Sequence, residues 1–396
     1  MSILIGRRRI LSGASAALCL GALPRCAANF GNSMNLGPRL ELAPVDTAAN
    51  RIVRITVCTR PFRPQGPRLD VEQIAGKTVV HNYGHGGSGW SLSWGSSGIA
   101  ADKAMATGER DIAVIGCGAL GMTSALSLQR AGANVIIYAK DLPPNVRSSF
   151  ATGLFTPDSR ICFEQYATPE FKSLWEGMCR RAYQTYYTLL GLPGNPVEYI
   201  DSYNIADDLA GLQPRTHNPN DTRPQFAELQ RELTPDLITG GPTYNPGSHP
   251  FGNRYVRKST NLMFNLVEYS QYLLSEFHAN GGKIEITEFH SPSDFARLPQ
   301  GTLINCTGYG ARALLGDNSL IPVRGQLART IPQPEVHYGL SYNFNSFVAR
   351  RDGFLFQHGG NDEYQGFNDE RIEPDRAEAE TAVNTIAQLF RGRVGY

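Results

Sequence analysis

Asp111-Ile-Ala-Val-Ile-Gly116-Cys-Gly118-Ala-Leu-Gly121 opens a unit that continues through Met122-Thr-Ser-Ala-Leu-Ser-Leu-Gln-Arg130 to Ala133-Asn-Val-Ile-Ile-Tyr138. A short apolar run leads into G-x-G-x-x-G, then a helical period, then a second apolar run. Strand, glycine turn, helix and strand within about 30 residues is the context in which this weak motif points to a dinucleotide. Gly116 permits the tight turn, Gly118 lets backbone N–H groups approach a pyrophosphate, and Gly121 lets the helix pack on the strand. The helix N-terminus adds partial positive charge for the phosphates. A generic glycine-rich turn explains the glycines but not the order of elements around them. The acid that commonly ends the second strand and holds a ribose hydroxyl is displaced: Lys140 stands in its place and Asp141 follows. Asp141 is the candidate for that contact.

Composition narrows the classes. The chain has 396 residues, 37 Lys+Arg against 36 Asp+Glu, 41 glycines and 25 prolines. A formal charge of +1 removes the whole-chain electrostatic case for nucleic acid. No apolar run approaches the ~20 residues that span a bilayer. Seven cysteines without C-x-x-C spacing indicate neither a zinc site nor a complete disulfide framework, and no metal site is expected. Cys117 and Cys306 are expected to be buried, and Cys58, Cys162 and Cys179 are the ones left to pair.

At the N-terminus, Arg7-Arg8-Arg9 precedes Ile10-Leu11, and Ser12 to Pro24 is small and apolar, with Ala27-Ala28 after it. A positive region, a short apolar region and small residues in that order predict a cleaved export signal. The Arg-Arg-x-Ile-Leu order resembles the twin-arginine type. Residues 1–28 are expected to be this signal, directing the chain to a bacterial periplasm, and 29–50 a linker.

The most specific string is His81-Asn-Tyr-Gly84-His85-Gly86-Gly87-Ser88-Gly89-Trp90-Ser91-Leu-Ser-Trp94-Gly95. Four glycines in six positions expose backbone and permit positive φ. Such a loop, with a helix N-terminus behind it, can stabilise negative charge on a reduced flavin ring. A flexible glycine linker would not interleave His, Asn, Tyr and Trp.

This string closely resembles the flavin-binding signature near the C-terminus of the D-amino-acid oxidase family. Arg60-Pro-Phe-Arg63-Pro-Gln-Gly-Pro-Arg68 resembles the segment that precedes it there. Ala151-Thr-Gly153-Leu154-Phe-Thr-Pro157 resembles the loop facing the flavin, Asn305-Cys-Thr307-Gly308 the strand end that closes over the cofactor, and Pro322-Val-Arg324-Gly325-Gln326 the strand that opens the substrate half. The order of the pieces differs. Family members begin with G-x-G-x-x-G and end just after the HNYGHGG loop, which here precedes Gly116. A circular permutation is expected, with residues near 51 and near 390 on the same side of the body. A shuffled fusion without function is the alternative.

The resemblance implies an α/β fold: a Rossmann-like FAD-binding domain from 51–160 and 258–316, and a substrate domain with a mixed β-sheet from 161–257 and 317–396. It implies FAD as cofactor. Gly116, Gly118, Gly121 and Asp141 would hold the dinucleotide, with Gly153 and Leu154 by the reactive face. Gly84, Gly86, Gly87, Ser88, Gly89 and Ser91 would surround the ring, and Thr307 and Gly308 would close over it. The implied reaction is oxidative deamination of a D-amino acid, with hydride passing to flavin N5 and oxygen as acceptor. The products are a 2-oxo acid, ammonia and hydrogen peroxide.

Arg60 matches the clamp for the substrate carboxylate, and Gly87 the carbonyl that receives the substrate amine. A surface salt bridge is the plain reading of Arg60. Relatives carry a tyrosine that bonds the carboxylate. Phe347 stands at the aligned position and offers no hydroxyl. Tyr342, with Tyr338 near it, is the expected substitute, and ordinary packing is the alternative. Arg350 and Arg351 face either an acidic substrate side chain or solvent. A glycine-, sarcosine- or D-aspartate-type oxidase, a dehydrogenase, and a flavin-holding protein without turnover stand as other readings. A homodimer is left open.

Overall fold

The computed structural model describes residues 39–213 and 220–391. The expected export signal lies outside them, as do the first residues of the expected linker. In chain order the elements are β1 (Arg54–Phe62), β2 (Val71–Ile74), β3 (Lys77–His81), α1 (Gly89–Met105), β4 (Asp111–Ile115), α2 (Ala119–Arg130), β5 (Asn134–Ala139), α3 (Pro169–Tyr187), β6 (Val197–Ala206), α4 (Gln230–Leu233) and β7 (Thr239–Tyr244). There follow β8 (Tyr255–Phe264), α5 (Leu266–Ala279), β9 (Lys283–Ile286), β10 (Thr302–Asn305), α6 (Ala311–Leu315), β11 (Ile321–Thr330), β12 (Tyr338–Tyr342), β13 (Asn345–Arg350), β14 (Gly353–His358) and α7 (Arg376–Gln388).

The strands form two sheets, a six-stranded one in the order β2-β3-β10-β4-β5-β9 and an eight-stranded one in the order β1-β11-β14-β13-β12-β6-β8-β7. In the first, β3, β10, β4, β5 and β9 are parallel, and β2 closes the β3 edge antiparallel. After Asp111, β4 is apolar because both its faces are covered. Ile112 and Val114 join the core under α1 and α2, while Ala113 and Ile115 pack with Phe295, Leu298 and Leu303. α3 lies so close to α1 that a Cβ on Gly95 would sit 2.1 Å from the Met178 carbonyl oxygen. The cap of α3 is legible in its sequence: Thr168 Oγ1 accepts from the Phe171 N–H at 3.3 Å, with Pro169 at the first helical position.

The second sheet is antiparallel except where β12 runs parallel to β6. Side chains alternate between its faces. One face buries Tyr338, Leu340 and Tyr342 of β12, Phe347 of β13 and Phe356 of β14 against Ala382, Val383 and Ile386 of α7. The other carries Ile200, Met263, Leu327, Val348 and Leu355, and Leu154 packs onto it.

Strand pairing redraws the boundary between the two halves. β1 belongs to the eight-stranded sheet, where Arg54 to Phe62 pair with Arg329 to Ile321. As an edge strand it tolerates Pro61, opposite Pro322, without a ladder donor. β8 also belongs to that sheet. The described end of the expected linker is packed rather than loose: Leu40 and Val45 are buried with Leu389 and Phe390. The Arg376 guanidinium of α7 donates to the Ala49 carbonyl oxygen at 2.7 Å. The segment before β1 and the helix that ends near residue 390 thus lie against each other.

Candidate active site

At the dinucleotide end, β4 delivers Gly116 at φ +104, and a Cβ there would lie 2.7 Å from the Cys306 carbonyl oxygen. A Cβ on Gly121 would lie 1.9 Å from the Gly116 carbonyl oxygen, so this glycine sets α2 down on the strand. Gly118 precedes α2, and the Ala119 N–H donates to Ser148 Oγ at 3.1 Å. No acidic residue occupies the first turn of α2, which leaves its partial positive charge available to phosphate. Asp141 is exposed just beyond β5, while Lys140 is engaged with Glu288 at 3.1 Å. At the end of β10, Thr307 Oγ1 donates to Asn305 Oδ1 at 2.8 Å, and Gly308 follows at φ +58.

The second glycine loop is wedged between two segments. The Gly86 N–H donates to the Pro61 carbonyl oxygen at 2.8 Å, and the Gly87 N–H to that of Ser159 at 2.9 Å. Ser88 Oγ donates to the same Ser159 oxygen at 3.1 Å. Gly86 has φ +55, and a Cβ there would lie 1.9 Å from the Arg160 carbonyl oxygen. Gly84 has φ +89 and lies under the Arg63 side chain. Gly89 opens α1 with free space where a Cβ would be, so sterics alone do not demand a glycine there. His85 is buried, and neither of its ring nitrogens has a hydrogen-bond partner. Burial pushes its pKa down to about 3, so the ring is neutral.

The 153–157 loop is pinned from two sides. The Phe264 N–H donates to the Gly153 carbonyl oxygen at 2.6 Å, and Leu154 pairs with Met263 as an isolated bridge. Buried Ser91 accepts from the Thr156 N–H at 2.8 Å and still has its own proton to give. Arg350, expected to face substrate or solvent, is instead buried behind this loop. It donates to the Ala151 carbonyl oxygen at 3.0 Å and pairs with Asp352. Arg351 is on the surface, 3.5 Å from Glu198.

Arg60 lies on the face of the eight-stranded sheet that Leu154 meets. Its guanidinium rests on Gly325, where a Cβ would lie 2.5 Å from Nη2, and Nη1 donates to the Arg324 carbonyl oxygen at 3.2 Å. It forms no ion pair among the described residues. Gly325 thus has a task that the sequence left unassigned.

Tyr342 is not part of this group, and its expected role is corrected. It sits on the opposite face, in the cluster under α7, and its hydroxyl donates to Asp207 Oδ1 at 3.0 Å. Tyr338 and Phe347 share that face, and the Tyr338 hydroxyl is bonded to the Ala43 carbonyl oxygen. In β13 the side chains on the Arg60 face are those of Ser346, Val348 and the loop-bound Arg350, and the directly opposite partners of the first two in β14 are Gln357 and Leu355. A slip of one residue in aligning a strand exchanges its faces. Arg160 was missed for a different reason: it follows the recognised loop by three residues, and only the fold brings it within the electrostatic reach of Arg60. The cysteines are all free among the described residues, and burial pushes Cys117 and Cys306 up to about 12.

The family described as DAO, FAD dependent oxidoreductase, matches residues 111–395. The chain belongs to this family. The matched span opens at the first residue of β4 and leaves β1 to α1 outside it. The cofactor of the DAO family is FAD, and the residues present fit it. Gly116 to Gly121 with the N-terminus of α2 would hold the pyrophosphate. The Gly84 to Ser88 loop, fixed against Pro61 and Ser159 and carrying the unpartnered ring nitrogens of His85, would hold the ring. Among the described residues no group of His, Cys, Asp and Glu is placed to hold a metal, and no helix is long and apolar enough to cross a membrane.

A D-amino acid oxidase from Dugesia ryukyuensis is 24% identical over 296 residues, 71% of this chain and 78% of the relative. A D-amino-acid oxidase from Rubrobacter xylanophilus is 26% identical over 216 residues, 54% of this chain and 58% of the relative. The chain thus spans about four fifths of the first relative and little more than half of the second. Among solved structures, an iminodiacetate oxidase from Chelativorans is 17% identical with a TM-score of 0.48, covering 71% of this chain and 80% of that one.

Proposed function

We propose that this DAO-family oxidoreductase is an oxidase of a D-amino acid. The observation that carries the reading is Arg60, a guanidinium without an ion-pair partner among the described residues, seated flat on Gly325 beside the flavin loops. A planar fork suits a carboxylate, which it binds through two parallel hydrogen bonds. A carboxylate held there brings the substrate Cα to the Leu154 and Gly87 side of the sheet, where the Gly87 carbonyl would receive the amine. Bound FAD supplies the hydride acceptor and passes the electrons to oxygen. The balance is amino acid, oxygen and water to 2-oxo acid, ammonia and hydrogen peroxide. Neutral, buried His85 is not needed as a base if the amine arrives uncharged.

The test is a visible spectrum of the chain purified from residue 29, followed by a peroxide assay across D- and L-amino acids, glycine and sarcosine. Peroxide with D-amino acids is the expected result. A flavin-loaded protein that reduces a dye but makes no peroxide would identify a dehydrogenase, and one that oxidises nothing would identify a flavin-holding protein.

Two further parts of the reading concern the chain itself. We take its order as a circular permutation of the family's, supported by the contact between Arg376 and Ala49. Joining residue 396 to residue 39 and opening the chain between Gly108 and Glu109 should then leave a protein that binds flavin. Residues 1–28 are read as the export signal, and sequencing the N-terminus of the secreted protein tests it.

A further inference from the structure

Arg60 has a neighbour of like charge. Arg160 is half-buried at the end of the turn that holds the second glycine loop. Its Nε–H donates to the Glu363 carbonyl oxygen at 2.8 Å, and its guanidinium carbon lies 5.8 Å from the centre of the Phe226 ring. Phe226 in turn packs on Phe62, two residues beyond Arg60, with ring centres 5.3 Å apart. The Arg160 backbone is held at φ +49, which is uncommon for a long side chain and marks a position fixed by its surroundings. Burial, and after it the charge of Arg60, draws the Arg160 pKa down to about 10. Glu363 and Asp362 act in the opposite sense, and Asp362 is itself paired with Arg223 at 2.7 Å. Neither Arg60 nor Arg160 is ion-paired among the described residues; their own hydrogen bonds go to backbone carbonyl oxygens.

Two partly desolvated cations that feel each other's charge repel, and neither has an ion-pair partner among the described residues to offset its lost hydration, Glu363 and Asp362 relieving Arg160 only in part. A ligand with two anionic groups would relieve both. We propose that Arg160 is a specificity-determining residue: it receives an anionic group on the substrate side chain while Arg60 holds the α-carboxylate, so the preferred substrate is an acidic amino acid. The inference rests on the function proposed above and names its substrate class.

The test compares succinate with butyrate, of equal carbon count but one carboxylate, as ligands of the FAD-loaded protein. Binding is read from the flavin spectrum and from the thermal unfolding midpoint. Succinate should bind about 10- to 100-fold more tightly. The advantage should vanish in Arg160→Asn, a residue that tolerates positive φ. In turnover, kcat/KM for D-aspartate and D-glutamate should exceed that for their amides by a similar ratio, through KM rather than kcat. Succinate binding no tighter than butyrate to the wild-type protein overturns the inference, with or without a folded variant. Oxidation of neutral D-amino acids alongside that result leaves the oxidase reading standing. An Arg160-dependent succinate advantage without turnover of any amino acid supports the double-anion site and overturns the oxidase reading instead.

Discussion

On the face of the eight-stranded sheet turned to α7, Tyr338, Tyr342, Phe347 and Phe356 are buried in one apolar cluster. On the other face, one residue along each strand, Arg60 lies on Gly325, and Val348 and Leu355 meet Leu154. The first face holds the sheet together by area removed from water. The second is held by placed contacts: glycines without room for a Cβ, carbonyls met by Arg350, and hydroxyls that pin loops. The aromatic cluster of β12 to β14 thus marks the face that only packs, while Arg60 seated on Gly325 marks the face available to a ligand.

The largest effect expected from breaking this division is at Gly86. Gly86→Ala places a methyl group against the Arg160 carbonyl at a positive φ, and should cost more than about 1 kcal/mol for the backbone alone, with the clash in addition. Flavin content after purification is the measurement, and it should be lost. Next comes Phe347→Ala on the opposite face, expected to cost about 3–5 kcal/mol of stability by denaturant unfolding. Its kcat/KM at a temperature where it is folded should stay near the wild-type value. A selective loss of substrate affinity in this variant would return the phenylalanine to the site.

A third effect is acid-dependent. Burial alone would raise the Asp352 carboxyl, but hydrogen bonds and charge from Arg350 and Arg329 outweigh it and hold its pKa below the ordinary 3.8. A lowered folded-state pKa contributes stability that is complete above the unfolded value and is lost as pH falls through the folded one. Thermal midpoints should therefore drop below pH 3.8 more steeply in the wild type than in Asp352→Asn. Parallel curves would show that the ion pair is not felt. The smallest effect is Tyr342→Phe, which removes the bond to Asp207 and should cost about 0.5–1.5 kcal/mol with no change in KM.

Much of this was legible in the chain. The strand, glycine turn and helix from Asp111 to Arg130 are spelled out by the pattern of twenty consecutive residues. The loop at Gly84 to Ser88 is legible through its resemblance to the family's signature, while the Pro61, Ser159 and Arg160 contacts that require its glycines are not. The face assignment of Tyr342 and Phe347 was not. β12 and β13 are mostly buried on both faces, so their alternation carries little sign of which side meets the ligand. β1 was hidden too, because Arg60-Pro61 reads as an extended loop until its partner β11, more than 250 residues away, supplies the ladder. The influence of Arg60 on Arg160 is of this kind, created by the fold between segments a hundred residues apart.

On this account the Arg60 face binds the substrate carboxylate. The most direct test is steady-state turnover by Arg60→Ala with flavin content measured on the same sample. Flavin retained and kcat/KM for D-amino acids lowered by at least about 10- to 100-fold is the predicted result, since a charged, two-point hydrogen bond is lost. Flavin retained with kcat/KM unchanged would contradict it.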